Sequence, residues 1–201
     1  MKKNIAIYLA GSIKKSHENP NESFWSEEDI SQLRSFLDTY QLSFLNPALR
    51  ADDLSDQHSV FGRDMLQVFC SDLVLVDARD RRGLGVGAEM MWAKLHTIPL
   101  IVLAPKDSHY HKTQATVLGV SVHQWIHPFV QSLSDQLVET LQDAAIWIDH
   151  WIKNPSTEIK GIDWIFNAMN SYKEKALASD LPMQELIRSN PLLSKRMAEI
   201  G

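Results

Sequence analysis

One glutamate in the chain is placed where a carboxylate could do chemistry. Glu89 follows a glycine-rich segment, residues 83–87 (Gly-Leu-Gly-Val-Gly), and precedes apolar residues at helical spacing. Glycines let a ligand lie against the backbone, and the first amides of a helix attract negative charge. Glu89 fits two interpretations, a first-turn acid that offsets the helix dipole or a nucleophile beside a ligand cleft. The local pattern leaves both open.

Other polar side chains are expected near the same cleft. Tyr8 lies close to the end of an apolar run, Asp77 ends another, Asp64 falls within a predicted helix, and Ser12 and Lys14 lie in a polar loop. A hydroxyl, backbone amides and a lysine suit a phosphate group. Each residue also has a structural interpretation, such as a core tyrosine for Tyr8 or a solvated helix acid for Asp64.

Two common types of site are not expected. The glycine-rich segment lacks the spacing and the downstream acidic residue of a dinucleotide fingerprint. Four histidines lie close together in the sequence, His109, His111, His123 and His127. No acidic residue or cysteine completes a recognisable ligand set with them. We therefore expect neither a cofactor nor a metal ion.

The elements that must position these residues alternate along the chain. Short apolar runs predict strands at residues 4–9, 42–45, 73–76 and 99–103. Helical spacing predicts helices between them, at about residues 26–39, 59–70 and 88–96. Residues 120–126 fit a fifth strand, and apolar residues from 133 to 152 predict one long amphipathic helix. This order predicts an α/β fold, a doubly wound, Rossmann- or flavodoxin-like parallel sheet of five strands with helices on both faces.

The composition changes after Asn154 and Pro155. We predict a catalytic domain at residues 1–154 and a helical C-terminal extension at residues 155–201. Within the extension, apolar spacing continues from residue 162 to 176, and Pro182 and Pro191 divide the remainder into two short helices. The extension is expected to pack on the core or on a second subunit.

Size and charge limit the class of protein. The 201 residues, 44% of them apolar, can bury one sizeable core, and the net charge of −5 argues against binding nucleic acid polymers or anionic membranes. No stretch approaches the length of a membrane span. The single cysteine, Cys70, is expected to be a buried filler, and the absence of any intramolecular disulfide predicts a cytoplasmic protein.

Four motifs occur in a fixed order. They are residues 8–13 (Tyr-Leu-Ala-Gly-Ser-Ile), Arg63-Asp64, residues 71–77 (Ser-Asp-Leu-Val-Leu-Val-Asp), and residues 85–89 (Gly-Val-Gly-Ala-Glu) with Ala93. In order and spacing they resemble the nucleoside 2-deoxyribosyltransferase family, including its 2-deoxynucleoside 5-monophosphate N-glycosidase branch. The resemblance covers roughly residues 4–126 and does not extend to the C-terminal tail.

The resemblance implies roles for individual residues. Glu89 becomes the nucleophile that attacks the sugar C1 and forms a covalent glycosyl enzyme, Tyr8 orients it, and Asp64 assists at the sugar or the leaving base. The implied substrate contacts are Gly11, Ser12, Ile13, Lys14, Asp77, Gly83, Gly85 and Gly87. Ser121 and His123 correspond to the stretch that completes a neighbouring subunit's site, which implies a homo-oligomer.

Two details bear on the substrate. Residues 11–14 (Gly-Ser-Ile-Lys) resemble the phosphate-binding loop of the monophosphate branch, which favours a nucleotide. Gly83 departs from the family, which has a serine or an aspartate at this position, and Met90-Met91 replace the usual Leu-Gly. We expect cleavage or transfer of the N-glycosidic bond of a 2-deoxynucleoside or its 5-monophosphate. A noncatalytic nucleotide-binding or sensing module is the alternative, and assembly through the tail is compatible with either.

Overall fold

The computed structural model describes residues 2–11 and 25–199. It divides the chain into two compact units, Met1–Lys160 and Gly161–Gly201. The predicted phosphate contacts Ser12, Ile13 and Lys14 lie outside the described residues. Gly11 follows directly after the first strand and is half-buried.

The first unit contains a parallel sheet with helices between its strands. The strands are β1 (Asn4–Ala10), β2 (Gln41–Leu45), β3 (Leu73–Asp77), β4 (Leu100–Leu103), β5 (His111–Val117), β6 (Val120–Ile126) and β7 (Gln136–Val138). The helices are α1 (Glu27–Phe36), α2 (Gln57–Phe69), α3 (Leu84–Leu95), α4 (Pro128–Leu133) and α5 (Leu141–Lys153). The five strands of the main sheet lie in the order β2-β1-β3-β4-β7, and every neighbouring pair is parallel. This flavodoxin-like order confirms the predicted fold class.

The apolar runs of the sequence are the buried strands of this sheet. All five residues of β3 and all four of β4 are buried, as expected for strands covered on both faces. One face packs against α1 and α5, where Leu33 and Ile148 join the core with Ile7, Leu9 and Leu75. This core fixes the carboxyl ends of β1 and β3, where Tyr8 and Asp77 lie.

The fifth strand is not the predicted one. Residues 120–126 do form a strand, but this strand, β6, pairs antiparallel with β5 in a separate two-stranded sheet. The edge of the main sheet is β7, which divides the predicted long helix into α4 and α5. Asp135 explains the break, because its carboxylate accepts hydrogen bonds from the Leu100 amide at 2.6 Å and from Lys94 Nζ at 2.5 Å.

Two local predictions are also wrong. Helix α3 begins at Leu84, four residues before the predicted start, so the glycine-rich segment forms its first turn and Glu89 lies in the second turn. Burial of Val86, Met90 and Ala93 against the sheet compensates for the low helix propensity of glycine. Cys70, expected to be a buried filler, is exposed where α2 ends.

The second unit is helical, as predicted. It contains α6 (Ile162–Lys175), a short 3-10 helix (Leu177–Ser179), α7 (Leu181–Ser189) and α8 (Pro191–Ala198). Pro182 and Pro191 lie in the first turns of α7 and α8, where proline is tolerated. None of the described residues in these helices is buried. No helix among residues 2–11 and 25–199 is long and apolar enough to cross a bilayer.

Candidate active site

Glu89 lies on the side of α3 that faces α2. Three residues further along α3, the Trp92 indole donates a hydrogen bond to the Met65 carbonyl of α2 at 3.1 Å and fixes this orientation. The Glu89 side chain is nearly enclosed, with 6% of the residue exposed. Gly85 lies one turn earlier, and a Cβ atom there would be 3.9 Å from Glu89 Oε1, an ordinary contact. Glycine at this position therefore places no side chain against Oε1.

Tyr8 approaches the same carboxylate from the centre of the sheet. It lies on β1 between Leu45 of β2 and Val74 of β3 and is completely buried. Its hydroxyl is close enough to Glu89 for the two groups to influence each other's pKa, yet falls short of hydrogen-bond geometry. Tyr8 Oη and Glu89 Oε2 are therefore both buried without a hydrogen-bond partner among the described residues.

The environment of Glu89 favours its protonated form. Burial raises the pKa of Glu89 from 4.5 to about 7, the Tyr8 hydroxyl lowers it, and the charge of Asp64 raises it further. Burial, followed by the nearby charge of Glu89, also raises the pKa of Tyr8. The three groups thus form one electrostatic cluster, in which Glu89 is ionised in a substantial fraction of molecules near neutral pH.

Asp64 reaches the cluster from α2 and is flanked by two arginines. Arg50 Nη1 lies 3.4 Å from Asp64 Oδ1, and Arg63 Nη1 lies 3.6 Å from the same oxygen. Arg50 also pairs with Asp52 within the same loop at 2.6 Å, so its contact with Asp64 ties the loop after β2 to α2. Burial raises the pKa of Asp64 even though both arginines lower it.

Sequence reasoning did not identify Arg50. The signal that could have indicated it was the long polar loop at residues 46–58, because loops of that length are often functional. Arg63 was part of a recognised motif but had no assigned role. The structure places both guanidinium groups beside Asp64.

Asp77 lies at the end of β3, as predicted, but its carboxylate is engaged by arginines. Arg79 Nε donates to Oδ1 at 3.0 Å, and Arg82 Nη2 lies 2.9 Å from the same oxygen. Arg79 also forms an ion pair with Asp29 of α1, with its Nη2 3.0 Å from Oδ2. The fully buried Asp77 therefore joins the segment after β3 to α1, while its contact with a substrate remains a prediction.

The other predicted contacts lie elsewhere in the first unit. Gly83 is the residue before the first turn of α3 and has an extended backbone, with φ −84° and ψ −179°. Gly83 and Gly87 line a cavity on the side of α3 away from Glu89. Ser121 and His123 are exposed on β6, where Ser121 Oγ accepts a hydrogen bond from Gln114 Nε2 at 3.0 Å. Their role in a neighbouring subunit's site remains a prediction.

Metal ligation has no candidate in the described part of the chain. Among residues 2–11 and 25–199, no three histidine, cysteine, aspartate or glutamate side chains come close enough to hold an ion. His109 and His127 instead pack their rings against Tyr110, with centroids 4.7 and 5.4 Å away.

Ten chains of solved structures match this chain, whereas the comparisons of sequence find no match. No protein-family model matches the chain, and no curated protein matches its sequence. A 2-deoxyribosyltransferase from the psychrotolerant bacterium Bacillus psychrosaccharolyticus has 13% sequence identity with this chain and a TM-score of 0.49. The match covers 78% of this chain and 98% of that one.

Proposed function

We propose that the chain is an enzyme that cleaves or transfers the N-glycosidic bond of a 2-deoxynucleoside or its 5-monophosphate, with hydrolysis of the monophosphate favoured. The supporting observation is the buried Glu89 carboxylate, which is grouped with Tyr8 and Asp64 and has one oxygen without a partner among the described residues. A carboxylate neutralised in an ion pair would be a weak nucleophile, whereas a desolvated one is reactive toward carbon.

The proposed reaction has two steps. In the first, a Glu89 oxygen bonds to the sugar C1 while the bond from C1 to the base nitrogen breaks, and the electron pair leaves with the base, which takes up a proton. Asp64 is the proposed source of that proton or a stabiliser of the sugar charge. In the second, water attacks C1, loses a proton and releases the sugar from Glu89, whereas a second base in place of water completes a transfer.

Substrate contacts belong to the same proposal. Residues 11–14 bind the 5-phosphate, and Asp77 with Gly83, Gly85 and Gly87 borders the substrate. Ser121 and His123 act in the site of a second subunit, so the active form is a homo-oligomer, and we place it in the cytoplasm. No cofactor is required, because the nucleophile and the proton donor are both side chains.

Base release tests the reaction. The purified chain is incubated with a panel of nucleosides and their 5-monophosphates, and free base is measured by chromatography. We expect release by the wild type and by Glu139→Ala, which removes an exposed glutamate, but none by Glu89→Ala. Binding without release would favour the noncatalytic nucleotide-binding or sensing module, and the absence of both would refute any nucleoside function.

Two further measurements address the mechanism and the substrate. Mass spectrometry of the intact protein during turnover should detect a covalent deoxyribosyl adduct in the wild type that is absent in Glu89→Gln. Ser12→Ala should raise KM for the monophosphate much more than for the nucleoside, because only the monophosphate carries the group that this hydroxyl would bind. Equal effects on both substrates would exclude Ser12 from phosphate binding.

A further inference from the structure

A cavity of about 720 Å³ lies against α3 on the side away from Glu89. Gly87 and Met91 line it, and residues two positions away from Glu89 in a helix point about 160° away from it. None of Tyr8, Asp64 and Glu89 is among its lining residues. The cavity therefore lies apart from the cluster of Tyr8, Asp64 and Glu89, and of the proposed substrate contacts that the structure describes only Gly83 and Gly87 line it. Its volume is typical of sites that bind small organic molecules.

Aromatic side chains form one wall of the cavity and are held in place. The Tyr110 hydroxyl accepts a hydrogen bond from the Arg82 amide at 2.8 Å, and the His127 amide donates to the Tyr110 carbonyl at 2.9 Å. The Tyr110 and His127 rings are perpendicular at 5.4 Å, and the Phe129 ring lies 6.0 Å beyond His127. Because backbone and hydroxyl bonds fix this wall, a planar ligand would find it already formed.

The remaining lining is mostly apolar and contains no acidic residue in the described part of the chain. Phe129 lies at the edge with 69% of its surface exposed, whereas six apolar lining residues are buried: Val76, Ala78, Val86, Met90, Val130 and Leu133. Such a surface favours an apolar ring over a hydrated polar molecule.

Two arginines give the cavity a positive charge. Arg82 is already paired with Asp77, with Nη2 2.9 Å from Oδ1. Arg81 is exposed, and its guanidinium forms no ion pair with any of residues 2–11 and 25–199. An uncharged apolar partner covering Arg81 would remove water from its charge without compensation, whereas an anion would pair with it.

We propose that this cavity is a second binding site, for a small planar aromatic molecule that carries a carboxylate or phosphate group. The ring lies against Tyr110, His127 and Phe129, and the anionic group pairs with Arg81. The site goes beyond the proposed reaction, because α3 lies between it and Glu89, and among the described residues the two sites share only Gly83 and Gly87.

Titration calorimetry with matched probes tests the site. Indole-3-carboxylate is compared with its neutral amide, and phenyl phosphate with phenol, neither pair being a nucleoside or nucleotide, using Glu89→Gln so that no probe is consumed. We expect at least one anion to bind about tenfold more tightly than its neutral partner. The pair that shows this preference identifies carboxylate or phosphate as the anionic group.

Variants locate the bound molecule. Arg81→Gln should remove the preference for the anion, and Phe129→Ala should weaken binding of both members of the pair. Arg188→Gln and Phe36→Ala, which change an exposed arginine and an exposed phenylalanine elsewhere, should leave binding unchanged. Because Arg81 and Phe129 are themselves exposed, their replacement should leave thermal unfolding close to that of the parent protein.

Three results would overturn the proposal. The first is no binding of any probe, or equal binding of anions and neutral partners. The second is tighter binding of the nonreactive indole-3-carboxylate by Glu89→Gln than by the wild type at pH 8, which would place it beside the Glu89 charge in the candidate active site. The third is self-association in sedimentation velocity that Phe129→Ala abolishes, with no aromatic anion bound, because a second copy of the chain would then cover this surface.

Discussion

At the scale of single residues, the most informative detail is that Tyr8 Oη and Glu89 Oε2 are buried without a hydrogen-bond partner in the part of the chain that the structure describes. Desolvation, rather than a charged partner, dominates the pKa of Glu89, which burial raises to about 7. Asp64 adds to this effect, although Arg50 and Arg63 partly offset its charge. A carboxylate in this setting is ionised in a substantial fraction of molecules near neutral pH, and it forms no ion pair with residues 2–11 and 25–199, as a nucleophile requires.

The first prediction concerns the pH dependence of base release. Because the proposed nucleophile is the ionised form of Glu89, kcat/KM should rise as the pH passes through about 7. The Tyr8 hydroxyl lowers the pKa of Glu89, so Tyr8→Phe should move this rise to higher pH. The measurement is kcat/KM against pH for both proteins.

The control for this shift is Tyr40→Phe, which removes a hydroxyl that bonds to Asp149 at 2.8 Å on the other side of the core. It should leave the profile where it is. A rise at unchanged or lower pH in Tyr8→Phe would mean that the hydroxyl does not stabilise the Glu89 carboxylate.

The second prediction concerns folding stability. The pKa of Glu89 is 4.5 when unfolded and about 7 when folded. Burial penalises only the ionised form of Glu89. The contribution of this group to the free energy of unfolding is therefore fully present below pH 4.5 and is lost as the pH rises through 7. Glu89→Gln lacks the charge, so in urea titrations it should match the wild type at pH 4 and exceed it at pH 8 by on the order of 3 kcal/mol.

The matched control is Glu139→Gln, which neutralises an exposed glutamate and should differ little from the wild type at either pH. If Glu89→Gln were less stable than the wild type at pH 8, the carboxylate would have a stabilising partner, and the interpretation of a desolvated nucleophile would be wrong.

Part of this site could be predicted from the sequence. It named Tyr8, Asp64 and Glu89 from their motifs, and the structure brings the three side chains into one cluster. It could not find Arg50, because the contact with Asp64 depends on how an irregular loop folds back on α2. Irregular backbone has no periodicity from which a side chain's direction can be inferred.

At the scale of elements, apolar spacing predicted the first four strands of the sheet and missed its fifth. Apolar residues from 133 to 152 fit a single helix, and β7 has only three residues. What separates α4 from α5 is the long-range contact of Asp135 with Leu100 and Lys94. A local pattern cannot reveal it, because the partners are 35 and 41 positions away.

The third prediction concerns the ion pair that holds this edge of the sheet. Lys94 and Asp135 are 1% and 2% exposed, so Lys94→Met would leave a buried carboxylate without its cation. We expect a loss of about 3 to 5 kcal/mol in the free energy of unfolding, measured in urea. The double variant Lys94→Met with Asp135→Asn should recover part of that loss, because it no longer buries a lone charge.

An exposed pair in the same unit provides the control. Lys153 and Asp149 lie 2.7 Å apart on α5, but the lysine side chain is 64% exposed. Lys153→Met should therefore change the free energy of unfolding by less than about 1 kcal/mol. Similar losses for the two lysines would show that water reaches the Lys94 pair.

The fourth prediction concerns the start of α3. Gly83 provides no side-chain cap for the first amides of the helix, and a Cβ atom at this position would meet nothing within 4 Å. Gly83→Ser should cap the helix, adding a few tenths of a kcal/mol to stability. The new hydroxyl should also lower KM for the 5-monophosphate relative to the nucleoside, because the monophosphate branch of the family that the chain resembles has a serine at this position.

The corresponding control is Gly62→Ser, at a glycine within α2 that has equally open surroundings. It should change stability without altering the ratio of the two KM values. If Gly83→Ser leaves the ratio unchanged as well, the substrate phosphate does not approach this end of α3.

At the scale of the whole molecule, the chain divides after Lys160, whereas the change in composition falls at Asn154 and Pro155. The intervening residues are fastened to the first unit, since the Lys160 amide donates to Asp135 at 2.8 Å and its Nζ to the Ser134 carbonyl at 2.6 Å. Proline marks where a helix ends, but it cannot indicate where the contacts of a unit end.

The last prediction follows from where the buried residues lie. All residues of the hydrophobic core lie between Ile5 and Ile148, in the first unit. The described helices of the second unit contain no buried residue. A chain ending at Lys160 should therefore unfold cooperatively in urea, with retained helical circular dichroism. The isolated segment 161–201 should be largely unfolded, because so short a chain with so little burial cannot offset its conformational entropy. A cooperative transition in the isolated segment, or none in the shortened chain, would show that the stability is distributed differently between the two units.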